Sequence, residues 1–167
     1  MSLFPADIET LAQRIVQEFA ASGHMVSTAE SCTGGLIAGA LTQISGSSAV
    51  VDRGFVTYTN DAKMDMLGVT AETLYAFGAV SKETALQMAH GALYRSRAAF
   101  SVAVTGIAGP GGGSATKPVG LVHLAATGRS GHMLHREMRY GDIGREQIRL
   151  ATVKTALEML LDLHQSL

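Results

Sequence analysis

The chain has 167 residues, thirteen Lys and Arg against fourteen Asp and Glu, and a formal net charge of −1. That length suits one ordinary α/β domain, and a hydrophobic content of 47% provides for a continuous core and excludes a disordered chain. Near-neutrality excludes a general electrostatic attraction to nucleic acid or anionic membrane, and a single Cys excludes a disulfide framework or a CxxC zinc site.

From Asp7 to Ala21 the apolar residues Ile8, Leu11, Ala12, Ile15, Val16 and Phe19 fall on one helical face, and Gly23 is the expected C-cap. Acidic and basic residues interrupt this amphipathic N-terminus, so it does not read as a secretory signal. No stretch approaches the roughly 20 apolar residues of a membrane span. A free thiol fits a reducing compartment, and the expected location is the cytoplasm. His24 to Ala29 reads as a strand that runs straight into Glu30-Ser31-Cys32-Thr33-Gly34-Gly35, after which Leu36 to Ile44 is helical.

Val50 to Asn60 alternates as a strand, and Asn60 is the expected cap of a short helix containing Lys63 and Met66 that closes at Gly68. Thr70 and Ser81 are N-cap candidates for two more helices, the second running to about Arg95. Phe100 to Val104 is a compact apolar run typical of a buried strand, and it leads into Thr105-Gly106-Ile107-Ala108-Gly109-Pro110-Gly111-Gly112-Gly113. Val119 to Ala126 and His132 to Tyr140 form an antiparallel hairpin around Thr127 to Gly131, and a final helix runs from about Gly144 to His164. The element order is α-β-α-β-α-α-α-β-β-β-α. It predicts one domain over residues 1–167, a three-layer α/β/α sandwich whose mixed sheet contains a C-terminal antiparallel hairpin.

Ligands of such sheets sit beyond the carboxyl ends of strands, and two loops there are rich in small polar residues. In the first, Ser31 and Cys32 stand at a helix N-terminus, where unpaired N–H groups can hold an oxyanion. A plain helix cap is the competing reading. Both residues are nucleophile candidates. A Cys wants a His base, and none of the six His falls in a strand-end loop. Lys63 is the alternative base, provided burial lowers its proton affinity; an exposed helical lysine is the competing reading. In the second loop, Thr105 to Gly113 can cradle an anion with its backbone N–H groups or be a surface loop. It is neither a P-loop nor a dinucleotide fingerprint, because no GKS or GKT follows and the next element is a strand. Arg145 and Arg149 share one helix face, either as phosphate ligands or as a solvated surface. The acidic residues show no metal-ligand grouping, so neither metal nor cofactor is expected.

Thr28 to Gly35, Gly54-Phe55-Val56-Thr57-Tyr58 with Lys63 beyond, Gly78-Ala79-Val80-Ser81, and Thr105 to Pro110 through Lys117-Pro118-Val119-Gly120 together resemble the CinA C-terminal domain family over nearly the whole chain. The resemblance implies an α/β/α sandwich, self-association as a homodimer or larger homo-oligomer, and nicotinamide-nucleotide amidase activity. In that reaction nicotinamide mononucleotide and water give nicotinate mononucleotide and ammonia. It further implies a Ser31–Lys63 dyad with Tyr58 beside it. The family's final helix opens with Gly-Asp-Arg, whereas here Ile143-Gly144 separates Gly141-Asp142 from Arg145. Longer CinA proteins carry an N-terminal nucleotide-processing domain, and any activity located there is expected to be absent. With this resemblance the oxyanion donors are expected near Thr33 and Gly34. Substrate contacts are expected at Gly35, Thr105, Gly106, Gly109, Gly112 and Arg145. A non-catalytic nucleotide-binding module and an amidase for another small amide remain alternatives.

Overall fold

The computed structural model describes residues 2–167. Its elements follow the expected order: α1 (Ala6–Ser22), β1 (Val26–Glu30), α2 (Leu36–Thr42), β2 (Val51–Val56), α3 (Asn60–Leu67), α4 (Ala71–Phe77), α5 (Lys82–Tyr94), β3 (Phe100–Gly106), β4 (Leu121–Gly128), β5 (Met133–Arg139) and α6 (Arg145–Gln165). A short 3-10 turn, Ser47–Ala49, precedes β2. The sheet order is β2-β1-β3-β4-β5. β1 runs parallel to both β2 and β3, while β4 and β5 continue antiparallel.

Helices cover both faces, so the three-layer sandwich with its antiparallel C-terminal hairpin is observed. On one face α1, α2 and α6 bury Ile8, Ile15, Phe19, Ile37, Leu41, Leu157 and Leu160 against Val102, Val104, Val122 and Leu124. On the other, α5 lies on a row of alanines in register across three strands, Ala29, Ala103 and Ala125. Small side chains on the sheet and on the helix (Ala85, Ala89, Ala92) let α5 approach closely. Gly91 on α5 lies against the Leu67 carbonyl, where no Cβ fits. Every residue of β1 is buried, as expected of a strand covered on both faces.

The helix ends carry the signals their sequence announces. Gly23 closes α1 in the left-handed region at φ 71°. The hydroxyls of Thr70 and Ser81 accept from the N–H groups of Thr73 and Thr84. One cap differs from the expectation: Thr59 starts α3 by accepting from Ala62 N, and Asn60 is the first helical residue. That choice follows from backbone geometry, since Thr59 is extended and a capping hydroxyl must reach N–H groups two or three positions ahead.

The chain leaves β1 for β2 on one side and reaches β3 on the other. The sheet therefore opens a crevice beyond the carboxyl ends of β1 and β3, the switch point where open α/β sheets take their ligands. The loops that follow β1, β2 and β3 all meet there.

Candidate active site

Ser31 follows the last residue of β1 and is held in the ladder, its N–H donating to Val104 O of β3 at 3.1 Å. The next residues turn sharply, with Gly34 at φ 58° and Gly35 at φ 107°, before α2 begins. Only glycine adopts these values without strain. On the far side of the crevice, Lys63 sits in the first turn of α3. Helical side chains lean toward the N-terminus, and this one runs back under the β2–α3 loop to Ser31.

Lys63 is 1% exposed and Ser31 8%. Lys63 Nζ lies 3.0 Å from Ser31 Oγ, 3.0 Å from Thr57 O and 3.2 Å from Tyr58 O. No carboxylate pairs with Lys63 among the described residues. Burial therefore pushes its pKa below the ordinary lysine value. As a neutral amine, Lys63 would donate its two N–H groups to the two carbonyls and turn its lone pair to the Ser31 hydroxyl. As an ammonium, the same nitrogen would donate three times to the same three oxygens. The proton can thus move between Oγ and Nζ without rearrangement of the site.

Cys32 takes a different role. Its thiol is buried, and that burial, with the nearby Glu30 carboxylate adding to it, pushes its pKa up to about 11. A protonated thiol is a poor nucleophile, and of the two candidates Ser31 is the one within hydrogen-bond reach of the Lys63 amine.

The turn is held from two sides. Beneath it the buried Glu30 carboxylate accepts from Thr33 Oγ1 at 2.6 Å, Ile37 N at 2.8 Å and Ala38 N at 3.1 Å, and so occupies the N-terminus of α2. From α6, Arg149 donates through Nε to Cys32 O at 3.0 Å and through Nη2 to Thr33 O at 3.1 Å. Arg149 therefore binds protein carbonyls and fits neither of its two expected readings, a phosphate ligand or a solvated surface residue. Glu30 and Arg149 were not distinguished by the sequence; the first lay inside the motif, and the second makes contacts 116 and 117 positions away.

The cavity in front of Ser31 holds about 270 Å³. Lys63, Cys32, Tyr58, Thr105, Gly106, Gly109, Gly112 and Arg145 line it, as do Asn60, Ala79 and Val80. Sequence reasoning had given Asn60 only a capping role. Arg145 bridges the rim, donating to Gly109 O at 2.8 Å and to the hydroxyl of Tyr58 at 3.0 Å. It reaches the site despite the two intervening residues before α6. Thr105 donates its hydroxyl to Ala79 O at 2.8 Å and joins the two loops behind the cavity. Gly106 and Gly109 press against Val122 and Val119, where a Cβ would overlap at 2.6 Å.

Three expected positions stand elsewhere. Gly35 caps α2 and does not line the cavity. Gly34 gives its N–H to Ser31 O at 3.0 Å, so it is not a free oxyanion donor. Thr33 is fully buried behind the turn. The Cys32 and Thr33 N–H groups donate to no other described residue, the Cys32 N–H facing its own thiol, and of the two residues Cys32 lines the cavity. No cluster of metal-ligating side chains occurs among the described residues. No helix there is long and apolar enough to cross a membrane.

The mixed sheet covered on both faces is the fold of a defined family. The sequence model of the CinA C-terminal domain matches residues 8–164, and the chain belongs to that family. A nicotinamide-nucleotide amidohydrolase, PncC, of Escherichia coli K12 is 47% identical over 156 residues, 93% of each chain. A CinA-like protein of Geotalea daltonii is 49% identical over 158 residues, 95% of this chain; the chain spans 38% of that relative's length, and the same share of a relative from Caldicellulosiruptor saccharolyticus. Among solved structures, the competence/damage inducible protein CihA of Agrobacterium tumefaciens superposes with a TM-score of 0.98 at 79% identity, covering 98% of this chain and 99% of its own. A CinA superfamily protein of Escherichia coli gives 0.89 at 36% identity, covering 98% and 94%.

Proposed function

We propose that this chain is an amidohydrolase that converts nicotinamide mononucleotide and water to nicotinate mononucleotide and ammonia, with Ser31 as nucleophile and Lys63 as its base. The observation that carries the reading is the 3.0 Å approach of a buried, unpaired lysine to one serine hydroxyl. The 47% identity to a nicotinamide-nucleotide amidohydrolase supports the substrate.

Neutral Lys63 takes the Ser31 proton as Oγ attacks the carboxamide carbon. The negative charge on the carboxamide oxygen is met by the backbone N–H of Cys32. Lys63, now an ammonium, gives its proton to the departing nitrogen, and ammonia leaves. Water, deprotonated by the same amine, then hydrolyses the acyl-serine. Thr105, Gly106, Gly109 and Gly112 shape the cavity around the nucleotide. Arg145 supplies positive charge at the rim for the phosphate while bracing Tyr58. Binding the remote nucleotide part fixes the amide at the nucleophile. The reading takes residues 1–167 as one domain acting in the cytoplasm as a homo-oligomer, and sedimentation velocity tests the assembly.

Ammonia release from nicotinamide mononucleotide is the test. Wild type should release it, and Ser31→Ala and Lys63→Arg should lose turnover by several orders of magnitude, as nucleophile and base losses do elsewhere. Tight nucleotide binding with no ammonia at high enzyme concentration would favour a non-catalytic binding module instead. Release only from other amides would move the substrate.

A further inference from the structure

We propose that Arg149 is a positioning residue that strengthens the oxyanion donor through a relay of backbone hydrogen bonds without touching substrate; this rests on the amidase reading above. The relay can be followed atom by atom. Arg149 Nη2 donates to Thr33 O at 3.1 Å. The N–H of that same peptide belongs to Gly34 and donates to Ser31 O at 3.0 Å. The N–H of the Ser31 peptide belongs in turn to Cys32, which lines the cavity; beyond its own thiol, that N–H meets no acceptor among the described residues.

Each link polarises the next. A positive charge drawing electron density to the Thr33 carbonyl makes Gly34 N–H a stronger donor, which does the same to the Ser31 carbonyl and hence to Cys32 N–H. The second bond, Nε to Cys32 O at 3.0 Å, fixes the orientation of the guanidinium and of the turn. Gly34 is held at φ 58°, and its Cα side lies in ordinary contact range of Arg149 Nη2. Arg149 is absent from the cavity lining and forms no ion pair among the described residues. Its charge is directed into the turn. The helix dipole of α2 does not supply this charge, because the Glu30 carboxylate already occupies that terminus. Arg149 thus replaces on the outer side of the turn what Glu30 takes up beneath it.

The experiment compares wild type with Arg149→Met, which keeps a comparable stem without charge, and Arg149→Lys, which restores charge to one carbonyl. Losing a direct oxyanion donor costs about 10²–10³ in kcat, and a relay that strengthens each bond by about 10–30% accounts for about 2–8-fold of that. KM should stay within about threefold, since the side chain makes no substrate contact. Arg149→Lys should recover part of kcat. Guanidinium at millimolar concentration should partly rescue Arg149→Ala, entering by the open groove between Leu3, Leu36 and Leu150. The rate at which a fluorophosphonate labels Ser31 should fall in parallel, because charge develops on an oxygen held in the same place. Circular dichroism and thermal melts establish that each variant is folded. Folded Arg149→Met with wild-type kcat and labelling rate, a loss confined to KM, or Arg149→Lys no better than Arg149→Met would overturn the relay. Absence of ammonia release from wild type defeats the amidase reading alone, and the labelling rates still decide this inference.

Discussion

Replacing Glu30 by Gln should cost this protein about 2–4 kcal/mol of folding stability through one atom. The carboxylate accepts three hydrogen bonds and donates none: Oε1 takes Thr33 Oγ1 and Ile37 N, and Oε2 takes Ala38 N. Glutamine keeps one acceptor oxygen. Retained at the Oε1 position, it leaves an NH2 group facing Ala38 N–H, donor against donor. A hydrogen bond to a charged group contributes about 1.5–3 kcal/mol, and the stranded donors add a desolvation cost of about 1–3 kcal/mol, part of which Ala38 N escapes because it is only half buried. The reversed orientation is worse, since it exposes two donors to the amide. For a chain of this size the loss corresponds to a fall in Tm of about 4–16 °C. Urea unfolding followed by circular dichroism reads the difference directly, and Glu30→Ala should exceed it by also opening a cavity. Because the same carboxylate fixes the turn that carries Ser31, kcat should fall in the folded fraction as well. A Glu30→Gln protein within about 1 kcal/mol of wild type would refute this view of the turn, since that is the cost of an ordinary neutral hydrogen bond.

Lys63 makes the stability depend on pH with a definite sign. Its folded pKa lies below its unfolded value, so between the two the unfolded chain binds the extra proton and stability rises with pH. The gain approaches about 1.4 kcal/mol per pH unit inside that window, and Lys63→Met should lack it; urea titrations from neutral pH to pH 10 showing parallel profiles would contradict a depressed lysine. The same group predicts that kcat/KM rises with pH as Lys63 loses its proton, with the midpoint below that of free lysine. Cys32, with its pKa pushed up to about 11, should resist iodoacetamide at pH 8 in the folded protein and react promptly in urea, as a thiol count by mass spectrometry would register.

The outline of this fold was legible because its signals are local. The apolar face of α1, the Gly23 cap and the Thr70 and Ser81 caps depend on neighbours within a few positions, and the structure places them as read; the hairpin also forms, with Thr127 and Gly128 inside β4 rather than in its turn. The cap of α3 was misplaced by one residue because Thr59 and Asn60 are both competent caps and only backbone geometry separates them. The site was legible in its parts. Ser31, Cys32 and Lys63 were recognisable as reactive types at strand ends, but the choice among them depended on burial. Folding buries Lys63 without an acid and raises the Cys32 thiol above useful ionisation. Arg149 and Arg145 illustrate the remaining limit. Four residues apart on one helix face, they looked equivalent, yet one bridges the cavity rim to Tyr58 and the other holds the turn behind Ser31. Only the three-dimensional meeting of α6 with loops 36 to 117 positions earlier separates their roles.

Trapping the covalent intermediate examines the serine–lysine chemistry at its centre. Wild-type protein mixed with excess nicotinamide mononucleotide, quenched in acid within the first turnover and digested, should yield a Ser31 peptide carrying the nicotinate mononucleotide acyl group, and Ser31→Ala should yield none. An acyl group on Cys32, or ammonia released at the wild-type rate by Ser31→Ala, would contradict the account.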